Sequence, residues 1–185
     1  HKVLKSHWLG IPQKRDRLII VGIRNDQINP SNYEFPKYLT HTVPLKAALD
    51  GVPDSPGVTY SPAKYDIMKQ VPEGGNWRDL PKELQNTLTN GKGGIDGSYS
   101  GTAKRLSWDE PSLTILASPA QRRTERCHPT ETRPLTVREA ARVQTFPDEW
   151  VFEGGTTAQY RQVGNAVPPR LAYLVGKSIF HHLRR

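Results

Sequence analysis

Only one stretch of this chain reads as a strand buried on both faces. Residues 15–24 are RDRLIIVGIR, in which Leu18, Ile19, Ile20, Val21 and Ile23 make a short continuous apolar run rich in β-branched side chains. That pattern belongs to the middle of an α/β sheet, covered on both sides. A central strand needs neighbours, and the rest of the chain offers few. A turn signal, Gly10-Ile11-Pro12, precedes the run.

The next 75 or so residues are of another character. Between residues 25 and 100 the stretches NPSNYEFP, VPDSPGVTYSP and TNGKGGIDGSYSG are dense in Pro, Gly, Asn and Ser. Short helices are predicted at Val43 to Leu49 and at Pro81 to Leu88, with a strand at Leu113–Leu116. LTVREAARVQTFP then carries a helix start: Thr136 can cap while Glu139 reaches back, the capping-box pattern. This helix is expected from Val137 to Gln144, ending before Pro147. A last helix is expected from Pro168 or Pro169, with Leu171, Ala172, Val175, Ile179 and Leu183 on one buried face. Gly176 on or beside that face would permit close backbone approach.

The net charge of +8 favours an anionic partner, most simply nucleic acid, although a solvated basic surface would look the same. The single cysteine, Cys127, excludes a disulfide framework and a cysteine zinc cluster, and a reducing cytoplasm fits. No histidine spacing suggests a metal site. No apolar run approaches the roughly 20 residues of a membrane helix.

Several clusters could carry chemistry. GIPQKRDR sets Gln13, Arg15 and Arg17 two apart, so along an extended chain they share a face. Two guanidinium groups there could grip a phosphate or a base edge, or merely serve as edge-strand charges. QRRTERCHPTETRP sets Arg122, Arg123, Arg126 and Arg133 in a polar loop that could read guanine or hold phosphates, or simply face solvent. GKGGIDGSYSG lacks P-loop spacing and fits a flexible loop near DNA or a plain surface loop. Cys127 and His128 are adjacent, a poor geometry for a nucleophile and its base. In GNAVPP, Asn165 sits on the turn before the last helix, where an amide and free backbone N–H groups could hold a polar ligand or only fill a turn.

In this order the blocks resemble the C-terminal part of the DNA cytosine-5 methyltransferases. GIPQKRDRLIIVGIR looks like that family's motif VIII, RPLTVREAARVQTFPDEW like motif IX and YRQVGNAVPPRLAYLVG like motif X. The resemblance implies an α/β fold. Residues 1–35 would end a Rossmann-like catalytic domain. Residues 36–158 would form a small, mainly β and loop-rich target-recognition domain that includes the motif IX helix. Residues 159–185 would return to the catalytic domain.

It also implies roles. Such enzymes flip a cytosine out of duplex DNA and methylate its carbon 5 from S-adenosylmethionine. By resemblance Arg15 and Arg17 lie at the flipped cytosine, Arg17 reaching the base and Arg15 supporting the reacting ring. Asn165, Ala166 and Val167 would contact the cofactor. Lys92, Ser98, Arg122 and Arg123 would touch DNA, and Arg133, Arg138 and Arg142 would be structural. The family's Pro-Cys nucleophile block, its Glu-Asn-Val acid block and its glycine-rich cofactor loop are not in the sequence. The lone cysteine stands in Arg-Cys-His. The chain is therefore expected to be inactive without a catalytic part. It would be a piece of an ordinary enzyme of a bacterial restriction–modification system, a reading that His1 as first residue favours. Otherwise it is the smaller subunit of a split one. A DNA-binding module without catalysis and an RNA-binding basic protein are the competing readings.

Overall fold

In the computed structural model, which describes residues 1–26, 33–89, 102–120 and 125–184, the apolar run finds a partner at the N-terminus. Strand β1 (Lys2–Lys5) pairs antiparallel with β3 (Asp16–Ile19), from Lys2↔Ile19 to Lys5↔Asp16. Between them lie a single 3-10 turn, Ser6–Leu9, and the two-residue strand β2 (Gln13–Lys14). The partner is inconspicuous in the sequence because KVLK holds only two apolar residues between lysines. β3 is also shorter than the expected strand, and not buried on both faces. Leu4 is fully buried on the inner side, whereas Leu18 is 56% and Ile20 74% exposed. A two-stranded sheet with a helix on one face buries only alternate residues, whatever their polarity.

That helix is α6 (Pro169–Leu183), which brings the two ends of the chain together. Leu171 packs with Leu4, Leu9 and Ile11, and half-buried Ile19, Phe35, Leu174 and Val175 close around them. The buried stripe keeps the three- and four-residue steps through Leu171, Val175 and Ile179, with Leu174 beside them, but Ala172 and Leu183, expected on it, are exposed. Gly176 does not fit the expectation: a Cβ there would meet nothing, because it lies on the outward side.

Two further cores occupy the middle of the chain. One gathers Leu45 and Leu49 of α1 (Leu45–Leu49), Ala140, Ala141 and Val143 of α4 (Val137–Val143), and Tyr160 and Val163 of α5 (Thr156–Asn165). The other gathers Met68 of α2 (Pro62–Met68), Val71, Trp77, Leu80, Ala103 and Cys127, with Leu88 of α3 (Lys82–Thr89). The capping box on α4 forms as expected, Thr136 Oγ1 accepting from Glu139 N and Glu139 Oε2 from Thr136 N. Gln144 is the C-cap of that helix, and Thr145, at φ 69°, turns the chain away.

The middle region is loop-rich but not mainly β. Its described residues hold short helices and one strand, β4 (Ser112–Leu113), paired in parallel with β2, plus isolated bridges at Cys127. β4 covers only the start of the strand expected at Leu113–Leu116. The prolines and glycines that break the apolar runs leave no length for ladders, and side chains take over the backbone groups. Helix α5 departs from the sequence expectation: Gly154-Gly155 before it and Gly164-Asn165 at its end have the composition of loop, and only Tyr160, Val163 and Gly164 are buried.

Candidate functional site

Alternate spacing at the entry of β3 does place Gln13 and Arg15 on one face, and that face points inward. Both are buried, and both meet Ile115. Gln13 Oε1 accepts from Ile115 N at 3.0 Å, and Arg15 Nη1 donates to Ile115 O at 3.0 Å. Side chains thus continue the β2–β4 pairing after the backbone ladder stops. Gln13 Nε2 also donates to Gln144 Oε1 at 2.8 Å, and Gln144 Nε2 to Val163 O at 2.7 Å. Arg15 Nη2 donates to Gly164 O at 3.1 Å and Ala166 O at 3.3 Å. A guanidinium on the last carbonyls of a helix sits at the negative end of its dipole. Burial, and secondarily Arg17, lower the Arg15 pKa to about 10, which still leaves it charged at neutral pH.

Gly164 makes this junction possible. A Cβ there would lie 2.3 Å from Ala117 N and 2.4 Å from Leu116 C, so α5 rests directly on the backbone after Ile115. One point therefore joins the N-terminal segment, the Ile115–Ala117 segment, the end of α4 and the end of α5. Arg17 differs from Arg15: it is half-buried, and its Nη1 donates to Asp16 O at 2.7 Å.

Asn165 is the last residue of α5, exposed, rather than a turn residue ahead of α6. Ala166 is the cap and half-buried, and Val167 is exposed. The expected free N–H groups at the start of α6 are mostly not available. Pro168 and Pro169 have none, Arg170 N donates to Thr145 Oγ1 at 3.1 Å, and Ala166 N donates to Val163 O. What this corner presents is two exposed side chains two residues apart, polar Asn165 and apolar Val167, on a backbone that Arg15 holds at Gly164 and Ala166.

Arg133, Arg138 and Arg142 are engaged within the chain, as the resemblance implied, whereas Arg126, expected in a loop facing DNA or solvent, is buried instead. Arg133 forks onto Glu139, with both contacts at 2.8 Å, and onto Glu131, with both at 3.0 Å. The Glu139 fork and, against it, burial leave its pKa above the ordinary arginine value. Arg142 forks onto Asp148 and reaches the carbonyls of Asp50 and Gly51. Arg138 donates to Pro147 O and Trp150 O and covers the Phe152 ring. Arg126 donates to Thr114 O at 3.0 Å and Glu125 O at 2.6 Å, and burial lowers its pKa to about 10.

Sequence reasoning missed Arg105. It is buried and donates to the carbonyls of Met68, Val71, His128, Pro129 and Glu131 and to Thr132 Oγ1, at 2.7–3.4 Å. In KRLSW it looks like any surface charge. Beside it, Cys127 is buried, with its thiol pKa raised by burial, as an inert packing cysteine should be. His128 Nδ1 accepts from Glu131 N at 3.1 Å and Thr130 N at 3.3 Å, and burial lowers its pKa. Glu125, fully buried, pairs with Lys64 of α2. A cleft of about 140 Å³ opens between Lys14, Lys104, Ser107, Glu110 and Leu113, spanned by the Lys14–Glu110 ion pair at 2.8 Å. The DNA-contact candidates Lys92, Ser98, Arg122 and Arg123 lie outside the described residues. Among the described residues no cluster of side chains could hold a metal ion, and no helix is long and apolar enough to cross a membrane.

Known proteins match this chain closely. The family model for C-5 cytosine-specific DNA methylase matches residues 1–181. The type II methyltransferase M.Eco47II of Escherichia coli is 52% identical over 98% of this chain and 45% of its own length. M.Sau96I of Staphylococcus aureus is 47% identical over 99% of this chain and 43% of its own length. The chain thus spans under half the length of these relatives. In three dimensions it is similar to a crystal structure of a DNA modification methyltransferase encoded within an E. coli prophage, with a TM-score of 0.56 and 21% identity, covering 100% of this chain and 60% of that one. Taken with the motif order and the mixed helix–strand fold, these matches settle the family: the chain belongs to the C-5 cytosine-specific DNA methylases.

Proposed function

We propose that this chain is the DNA-recognition and C-terminal portion of a DNA cytosine-5 methyltransferase of a restriction–modification system. The enzyme would methylate carbon 5 of a flipped cytosine within a specific duplex sequence. The observation that carries the reading is the family match over residues 1–181 together with the junction at Gln13 and Arg15, where Gln13 meets Gln144 of the second family-like block and Arg15 meets Gly164 and Ala166 of the third. Residues 1–35 and 159–185 belong in this reading to the catalytic domain, and residues 36–158 to target recognition. The separate core of Leu4, Leu9, Ile11 and Leu171 supports that division at the two ends, while Tyr160 and Val163 of α5 pack in the middle core, so α5 bridges the two parts.

Within the reading, Arg17 is the group that reaches the base. It stands at the mouth of the face that Arg15 anchors, and its fork offers donors beyond the one on Asp16 O. Arg15 supports the reacting ring from behind, because its own donors hold Ile115, Gly164 and Ala166. Asn165, Ala166 and Val167 hold the cofactor on one side, a polar amide and an apolar side chain fitting a ligand with both characters. S-adenosylmethionine, when bound, supplies the methyl group. The nucleophile and the acid come from a catalytic part outside these residues, in the same polypeptide or in a separate subunit. Lys92, Ser98, Arg122 and Arg123 are the proposed contacts to double-stranded DNA. The setting is cytoplasmic.

The test is methyl transfer from labelled cofactor to DNA, by this chain alone and with a catalytic part supplied. Activity only in the second case is expected. Activity of the chain alone would sink the division of labour. In the assembled enzyme Arg17→Ala abolishes methylation and leaves most DNA affinity, since phosphate contacts supply much of it; collapse of affinity would make Arg17 a backbone contact instead. Asn165→Ala weakens cofactor binding with little change in DNA specificity.

A further inference from the structure

Two consecutive residues at the end of α4 hold the backbone on either side of the Asn165–Val167 corner. Gln144 is fully buried, and its Nε2 donates to Val163 O at 2.7 Å. Ala166 N closes on the same carbonyl to cap α5. Thr145 Oγ1 accepts from Arg170 N at 3.1 Å, in the first turn of α6. Thr145 makes this contact from a costly conformation. Its φ of 69° is left-handed, a region that a β-branched residue seldom enters and that glycine occupies freely. Such strain persists where the surroundings fix it. Here Thr145 N donates to Arg142 O and Phe146 N to Ala141 O. What threonine offers at this place, and glycine does not, is the hydroxyl.

Both holds are tied in turn to the N-terminal segment. Gln144 Oε1 accepts from Gln13 Nε2 at 2.8 Å. Arg170 Nε donates to Leu9 O at 2.9 Å, and its guanidinium lies so close to Gly10 that a Cβ there would fall 2.8 Å from Nε and Nη2. Gln144 is buried and Thr145 half-buried, so each is placed to act through the backbone and not on a ligand.

Resting on the reading of Asn165, Ala166 and Val167 as cofactor contacts, we propose that Gln144 and Thr145 are positioning residues for S-adenosylmethionine. They fix the path of the backbone from Val163 to Arg170, and with it the places of the Asn165 and Val167 side chains that meet the methyl donor. They act on cofactor binding and leave the chemical step to other groups. Both lie within residues 36–158, so the part assigned to target recognition also shapes the cofactor's side of the enzyme.

The experiment uses the enzyme assembled from this chain and a catalytic part, with labelled S-adenosylmethionine and duplex DNA. Gln144→Met keeps the side-chain length, removes both polar contacts and raises the cofactor KM roughly tenfold. Thr145→Val keeps the shape, removes the acceptor and raises it roughly threefold, while Thr145→Ser restores it. In both impaired variants kcat and the KM for DNA stay within about twofold of the unaltered enzyme. A merely structural loss would instead lower the melting temperature and kcat, with the cofactor KM unmoved. Thr145→Val decides the matter if Gln144→Met does not fold. Three results overturn the proposal: an unmoved cofactor KM in a folded variant, equal rises in KM for cofactor and DNA, or Thr145→Ser no better than Thr145→Val. Asn165→Ala run in parallel separates the failures. If it raises the cofactor KM and the other variants do not, the positioning role alone is refuted. If it does not, the cofactor reading of the corner fails, and the positioning role with it.

Discussion

The middle of the molecule and its terminal layer dispose of their side chains in opposite ways. In the middle, cationic groups turn inward: Arg105, Arg126, Arg133 and Arg142 are engaged by carbonyls and carboxylates of the same chain. In the terminal layer, apolar groups turn outward, as Leu18, Ile20, Tyr173 and Phe180 do. Burial of charge with its donors engaged marks a region that satisfies itself. Exposure of apolar area on a helix and a sheet marks one built to be covered. A basic composition therefore overstates a basic surface, because Arg15, Arg105 and Arg126 are buried and spent on the chain's own carbonyls.

If the middle is self-satisfied, removing its central cation should do the most damage. Arg105→Met takes the side-chain donor from five carbonyls, of which Met68 O and Glu131 O keep a backbone donor while Val71, His128 and Pro129 lose theirs, and should cost on the order of 4 kcal/mol in denaturant unfolding. Arg105→Lys should recover little, since a point charge cannot span the fork. Gly164→Ala tests the seam between the regions. The added methyl meets Ala117 N at 2.3 Å, and backbone cannot step aside easily, so a loss of about 2–3 kcal/mol is expected, read as a lowered melting temperature.

Acid should also strike the middle, in two stages. The His128 pKa is lowered by burial from 6.5, so below that value the unfolded chain takes up a proton that the folded one resists. Glu139 is raised by burial but drawn further down by Arg133 and Thr136, to a net value below 4.5. Its contribution is present above 4.5 and lost as pH falls through the folded value. Unfolding midpoints should therefore decline below pH 6.5 and more steeply below 4.5, and His128→Gln should flatten the first stage. His7, also lowered by burial, keeps part of it. The smallest effect belongs to the terminal layer. Tyr173→Lys in this chain alone should change stability by under about 0.5 kcal/mol, because its ring has little to lose. A large loss there would erase the contrast.

What was legible in the sequence is what is local. The α4 capping box needs only Thr136 and Glu139, three residues apart, and the α6 stripe repeats within one helix. The inward alternation of Gln13 and Arg15 comes from extended geometry. The bonds that make the junction are not local: Gln13 and Gln144 lie 131 residues apart, Arg15 and Gly164 149 apart. No spacing rule connects such pairs. The strand at residues 17–23 departs from expectation for a related reason, since a run of Leu and Ile states that burial is wanted and not that this chain provides it. Asn165 ends a helix instead of sitting on a turn because Gly164, normally a breaker, is kept by the Leu116–Ala117 backbone pressed against it.

The partners of Arg105 also bear on how the protein responds to salt. Of the six, five are carbonyl dipoles and one is a hydroxyl, and none is a carboxylate. Such contacts act at hydrogen-bond range in a place that mobile ions do not enter, so dissolved electrolyte has little to screen. Contacts to a phosphate backbone weaken steeply as electrolyte is added. The two therefore have separate ionic thresholds: a concentration that strips the protein from a polyanion leaves the interior around Arg105 intact, and dilution restores a surface that never lost its shape.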